Sequence, residues 1–156
     1  MGYKVTKVAE NDRSEFQTFE DLEVYRAARE FRKAMYDVTR RMPDFEKYEL
    51  VCQIRRAAVS LTNNIAEGHG RFHFPDQIRF ILHSRGSLEE LVDDLNVCLD
   101  ENYIPPDQVS KLKEKGLGVL TLLNGYLRYL RRRSSSVREP DSSYAVSEES
   151  LDALPL

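Results

Sequence analysis

Residues 21–43 read DLEVYRAAREFRKAMYDVTRRMP. Val24, Ala28, Phe31, Met35, Val38 and Met42 recur at steps of four, three, four, three and four. That spacing puts all six on one face of an α-helix and makes a seam like that of a coiled coil. A strand would alternate every second residue instead. The seam predicts a helix from Asp21 to Arg41, stopped by Pro43, which lacks an N–H and clashes with the preceding turn.

The pattern returns three times downstream. Leu50, Ile54, Ala57, Leu61 and Ile65 predict a second helix over Glu46–Glu67, with Ala57 and Ala58 small enough for close packing. Gly68 and Gly70 are expected to end it, as residues tolerant of the left-handed conformation do past a helix. Pro75 suits the first turn of a third helix running to Asn102. Its inward residues are Ile78, Ile81, Leu88, Leu91, Leu95 and Cys98, with a break at Ser84, Arg85, Gly86 and Ser87. A fourth follows Pro105-Pro106, with Asp107 near its positive end and Val109, Leu112, Gly116, Val119, Leu123, Tyr126 and Leu130 as its seam. Sustained period-two alternation is absent, so no sheet is predicted. Short joints make successive helices antiparallel neighbours. The expected fold is all-α, an up-down-up-down antiparallel four-helix bundle.

The length, 156 residues, suits one such domain with tails. No apolar run approaches the length of a membrane span. Met1–Phe19 is polar and has no signal-peptide core, and Cys52 and Cys98 stand alone inside helical patterns. These features point to a reducing, cytoplasmic location. Charge divides the chain in three. Residues 1–19 carry three bases and three acids and are expected to be a flexible segment. Residues 20–133, the bundle domain, carry 19 Lys+Arg and 18 Asp+Glu. Residues 134–156 are Ser-rich and acidic, with Arg138 against five acids, and their composition predicts disorder. Leu151–Leu156 reads either as an unstructured end or as a short docking motif.

Few residues are placed for chemistry. A di-metal bundle needs inward Glu-x-x-His pairs, and the sequence has none; nor has it a paired-Cys or His-Glu-x-x-His zinc pattern. No metal and no cofactor is expected. Gly68-His69-Gly70-Arg71 follows a helix rather than a strand and matches no phosphate-binding loop. His83 adjoins Ser84, but neighbours on a helix point about 100° apart, which breaks up a nucleophile–base pair. Arg79 and His83 lie one turn apart. They resemble the Arg-His motif of the helical HEPN ribonucleases, although that family separates the two by four to six residues and only three intervene here. Arg85 falls near an inward position of helix 3. It reads as a polar clamp with Glu67 and Glu89 that fixes helix register, or else as a ligand-binding arginine.

Two surface features carry more weight. An up-down bundle gathers the start of helix 1, the end of helix 2, the start of helix 3 and the end of helix 4 at one pole. Arg26, Arg29, Arg71, Arg79, Arg85, Arg128, Arg131, Arg132 and Arg133 fall there, against six carboxylates. All nine bases are arginine, the side chain that forks onto phosphates, and Phe72, Tyr126 and Tyr129 are near enough to stack bases. An alternative is that Arg131–Arg133 only complement the helix 4 dipole. Helix 4 also carries Leu117, Leu120, Leu122 and Leu127 outside its seam. Its Gly116, Gly118 and Gly125 each cost roughly 0.8–1 kcal/mol against alanine. This predicts a homo-oligomer with helix 4 at the interface, or alternatively a helix 4 buried deeply within one bundle.

Asp21-Leu22-Glu23-Val24-Tyr25, Gln53-Ile54-Arg55-Arg56-Ala57-Ala58-Val59-Ser60, Asn64-Ile65-Ala66-Glu67-Gly68-His69-Gly70-Arg71 and Arg85-Gly86-Ser87-Leu88-Glu89-Glu90-Leu91 occur in that order. Together they resemble the four-helix-bundle proteins encoded in intervening sequences of bacterial 23S ribosomal RNA genes. Those are distant relatives of Avd, the accessory variability determinant of diversity-generating retroelements. The resemblance covers residues 19–133 and leaves out both tails; the acidic C-terminal tail departs from the pattern. It implies a barrel-like homopentamer without catalytic activity. It also implies, by kinship with Avd, binding of nucleic acid and of a partner reverse transcriptase. Arg55, Arg56, Arg71 and Arg85 match the family's basic positions. The resulting expectation is a non-enzymatic adaptor that binds RNA or DNA through Arg26, Arg29, Arg55, Arg56, Arg71, Arg79, Arg128, Arg131, Arg132 and Arg133. The alternatives are a protein-interaction scaffold without nucleic-acid binding and a ribonuclease using Arg79 and His83.

Overall fold

A computed structural model of the chain describes residues 18–137. Nearly all of the N-terminal segment, and the acidic tail from Arg138 onward, lie outside the described residues. Four α-helices account for most of what is described: α1 (Glu23–Thr39), α2 (Leu50–His69), α3 (Phe74–Asp100) and α4 (Pro106–Ser136). No strand occurs among the described residues. Successive helices pack side by side, and α4 closes against α1, so the arrangement is a four-helix bundle.

Each boundary has a local cause. The chain enters α1 through a 3₁₀ turn, Phe19–Asp21, capped at both ends of a box: Thr18 Oγ1 accepts from the Glu20 amide (3.2 Å) and Asp21 accepts from the Thr18 amide (3.1 Å). Between α1 and α2, Pro43 leads into a second 3₁₀ turn, Asp44–Glu46, so α2 begins four residues later than its apolar pattern suggests. The Glu46 carboxylate accepts from the Leu50 amide (3.2 Å) and satisfies one of the free donors at that helix start. After α3, Asn102 adopts φ 57°. The Tyr103 amide donates to the Cys98 carbonyl (2.9 Å) and the Asn102 amide to the Leu99 carbonyl (3.1 Å), which is a Schellman ending with asparagine in the left-handed place. At the far end α4 continues beyond Arg133, and the Ser135 and Ser136 hydroxyls donate back to the Arg131 and Arg133 carbonyls (both 2.9 Å).

The core follows the seams. Every seam residue named for helices 1 and 2 is buried. In α3, Ile78 is half-buried and the others are buried. In α4 the seam passes through Leu127 in place of Tyr126. Leu127 is 4% exposed, so it belongs to the protomer core and not to an outer interface. Cys98 is fully buried, and burial pushes its thiol up to about 11.

Two expectations are corrected. Gly68 and Gly70 do not stop α2 in a left-handed conformation; the helix runs through Gly68 to His69, and no described glycine has positive φ. Gly68 is instead a point of close approach: a Cβ there would lie 3.0 Å from Phe80 Cβ and 3.3 Å from the Gln77 carbonyl oxygen. Arg85 is not a buried clamp, because the inward positions of α3 around it are Ser84 and Ser87. Arg85, Glu67 and Glu89 are exposed, and Glu67 pairs with Arg71 one turn on. At this level the polar tie between α2 and α3 is made by serines. The buried Ser84 hydroxyl donates to the Leu61 carbonyl (2.6 Å), and Ser87 donates to Ser60 Oγ (2.8 Å). Their short side chains let the two helices lie close.

Asp94 is the exception in the core. It is 2% exposed, accepts from Gln53 Nε2 through Oδ1 (2.9 Å), and its Oδ2 has no partner among the described residues. Burial, then the nearby charges of Glu90 and Asp93, raise its pKa to about 6 from the usual 3.8. The folded protein therefore holds a proton that the unfolded chain releases. The stabilisation is fully present below the unfolded value and is lost as pH rises through the folded one. Thermal melts between about pH 4 and pH 7 should show Asp94→Asn losing part of the wild-type decline in Tm. An identical slope in both proteins would disprove this role.

Candidate nucleic-acid interface

The topology brings the start of α1, the end of α2, the start of α3 and the end of α4 to one pole. Arg29, Arg79, Arg128, Arg131, Arg132 and Arg133 are exposed there and form no ion pair with another described residue. Two arginines of the pole are paired. Arg26 lies 3.6 Å from Asp21 and donates to the Glu20 carbonyl (3.0 Å), and Arg71 pairs with Glu67. Both pairs are solvent-exposed, so each contributes little to stability and gives way easily to a phosphate.

Aromatic side chains are interleaved with these bases. The guanidinium of Arg71 sits over the Phe80 ring at 4.6 Å and that of Arg79 at 5.6 Å, which holds two cations at one ring. Phe72, in the α2–α3 joint, is 91% exposed. On α4, Tyr126 and Tyr129 stack with centroids 6.1 Å apart and planes 11° apart. Burial pushes the Tyr126 phenol up to about 12, so it stays neutral. Flat rings beside exposed guanidinium groups are what unstacked bases and their phosphates require.

Not all the expected residues share this pole. Arg55 and Arg56 lie near the start of α2, towards the opposite end. Arg55 donates to Thr39 Oγ1 (3.0 Å) and rests over Tyr36 at 5.2 Å, which ties α2 to α1. Both line a groove of about 500 Å³ along the α1–α2 face, together with Tyr36, Ser60, Asn63 and Asn64. Arg85 stands on α3 beyond the pole's edge, three turns into the helix. Arg79 and His83 are both exposed, on either side of Phe80.

The face expected to pair with another copy divides as well. Leu117 is 61% exposed, while Leu120 and Leu122 are half-buried against the core. Gly116 packs under Phe31, with 3.3 Å between a would-be Cβ and the ring, whereas nothing described lies near Gly118. A groove of about 480 Å³ runs between α1 and α4, lined by Leu22, Val24, Leu122, Tyr126 and Tyr129 together with the charged Glu23 and Arg128.

The family model described as 23S rRNA-intervening sequence protein matches residues 20–125, more than half of the chain. The chain belongs to this family. The match begins at the turn before α1 and stops within α4, before Arg128. The four helices that gather the pole are thus those of a 23S rRNA-intervening sequence protein, while Arg128–Arg133 lie past the matched span. No curated protein matches the chain. Among the described residues no helix is long and apolar enough to cross a membrane.

Proposed function

We propose that this member of the 23S rRNA-intervening sequence protein family is a non-catalytic RNA-binding adaptor that works through its arginine pole. The observation that carries the reading is the convergence of six arginines, without an ion-pair partner among the described residues, from three helices at one end, interleaved with Phe72, Phe80 and Tyr129. Phosphate contacts supply affinity and exposed rings supply stacking, so a single-stranded segment is the preferred form. The exposed Leu117 on α4 supports self-assembly into a homo-oligomer. A ring would repeat the pole around its rim and multiply the field. The pentamer and a reverse transcriptase partner rest on the kinship with Avd alone.

Replacing Arg128, Arg131 and Arg132 by glutamine tests the site. Fluorescence anisotropy with a single-stranded RNA should show binding more than about tenfold weaker at low salt. The slope of log affinity against log salt should flatten by about two. All three side chains are exposed, so the melting temperature should change little. Unchanged affinity with an unchanged salt slope would refute the assignment.

A further inference from the structure

The groove between α1 and α4 has an occupant of matching chemistry in this chain itself. Leu122, Tyr126 and Tyr129 give it an apolar wall, and Arg128 stands beside them, exposed and without an ion-pair partner among the described residues. Gly125 leaves its floor open: a Cβ there would meet no described group nearer than the Arg128 guanidinium, 4.0 Å away. Arg132, one turn beyond Arg128, continues the same face of α4 towards Val137. Residues 138–156 follow directly from that end, with five acids against one base. Within them Glu148-Glu149-Ser150-Leu151-Asp152-Ala153-Leu154 sets two carboxylates ahead of two leucines.

We propose that Glu148–Leu154 folds back into this groove, with Leu151 and Leu154 on Leu122 and Tyr126, and with Glu148 and Glu149 on Arg128 and Arg132. The order of groups decides the match. Read back from the end of α4, the arginines come first and the apolar wall lies deeper. A segment that leaves α4 and reverses brings its acids to the arginines and its leucines to the rings, and leaves Asp152 to solvent. Glu139-Pro140-Asp141-Ser142 has turn chemistry where the reversal is needed. Glu23 stands on the α1 wall and keeps the carboxylates to the α4 side. Reach agrees as well. Arg128 lies about 14 Å back along α4 from Val137. A coil the length of residues 138–148 spans about 18 Å root-mean-square. Tethering at that match gives a local concentration on the order of millimolar, so even an intrinsically weak contact is populated. Residues 1–19 join the body at the same pole, but their three bases and three acids give Arg128 no net complement. The tail contact is independent of what the pole binds.

Backbone amide NMR of the full-length chain tests the contact. The double change Leu151→Ser and Leu154→Ser is expected to move the signals of residues 22–24 and 121–129. It should also lower the heteronuclear NOE of residues 148–154. Glu148→Gln with Glu149→Gln should give smaller movements at residues 125–132, and added salt should reproduce them in the wild type. All four substitutions lie beyond α4, so the bundle core is untouched. Coincident signals at residues 22–24 and 121–129 in the wild type and the serine variant would overturn the docking. So would a wild-type heteronuclear NOE already as low as the variant's. Glutamine variants indistinguishable from the wild type would overturn the arginine pairing. A difference that vanishes on dilution would give the groove to the tail of a second copy and overturn the fold-back within one chain.

Discussion

Phe31→Ala is expected to destabilise the bundle by about 3–5 kcal/mol, the range for removing a fully buried phenylalanine. The ring is wholly inside, at the middle of the α1 seam, and lies under Gly116 of α4. Gly116 has no side chain to fill the space left behind, and Val92 of α3 is the nearest other group at that point. The cavity should therefore collapse poorly, which puts the cost towards the upper part of the range. Chemical denaturation should show a large fall in midpoint with little change in slope. A loss below about 1 kcal/mol would mean that α1 and α4 slide together to close the gap, and that the bundle is more plastic than its packing indicates.

The second large effect belongs to Gly68→Ala. A methyl group in a helix ordinarily gains nearly 1 kcal/mol over glycine. Here it meets Phe80 Cβ at 3.0 Å and the Gln77 carbonyl at 3.3 Å. Both obstacles are fixed to the α3 backbone, so rotation of a side chain cannot relieve them. The helices must separate, and the serine bonds from Ser84 to Leu61 and from Ser87 to Ser60 stretch with them. The net expectation is a loss of about 1–3 kcal/mol. Gly118→Ala, on the same scale, is expected to be neutral or stabilising, because its Cβ would meet open space. Thermal melts of the two variants side by side separate close approach from simple helix propensity. Equal behaviour of the two would contradict the close-contact account.

The two glycines also mark where sequence reading succeeds and stops. Apolar residues at helical spacing announce four helices, and the seams of α1 and α2 are buried as expected. Reading fails where a seam position is polar. Ser84 and Asp94 continue the inward row of α3 between Ile81, Leu88, Leu91 and Cys98, but a count of apolar residues treats them as gaps. Arg85 was drawn inward by that gap and in fact points to solvent. Gly68 looked like a stop because glycine serves both as a helix terminator and as a contact point, and only the partner helix distinguishes the uses. On α4, Tyr126 and Leu127 are neighbours with apolar bodies, and the choice of which turns inward depends on α1 across the groove.

The arginine pole was legible as composition because an even number of helices fixes which ends meet. Its division was not. Arg55 and Arg71 both fall in the stretches that carry the sequence resemblance, yet the two sit towards opposite ends of α2 and have different partners. The Gln53–Asp94 contact is invisible to sequence reading because its two members lie on different helices, 41 residues apart along the chain.

An even count of antiparallel helices has a further, practical consequence. The chain enters and leaves the body at the same end, with Thr18 and Val137 both at the arginine pole. An affinity tag, fluorophore or surface linkage joined directly at Thr18 or Val137 is therefore anchored on the face proposed to meet nucleic acid. The two joints at the other end, around Lys47-Tyr48 and Pro105, are exposed and far from that face. A probe attached there leaves the pole uncovered, and comparing it with a terminal probe distinguishes weak intrinsic affinity from obstruction by the handle.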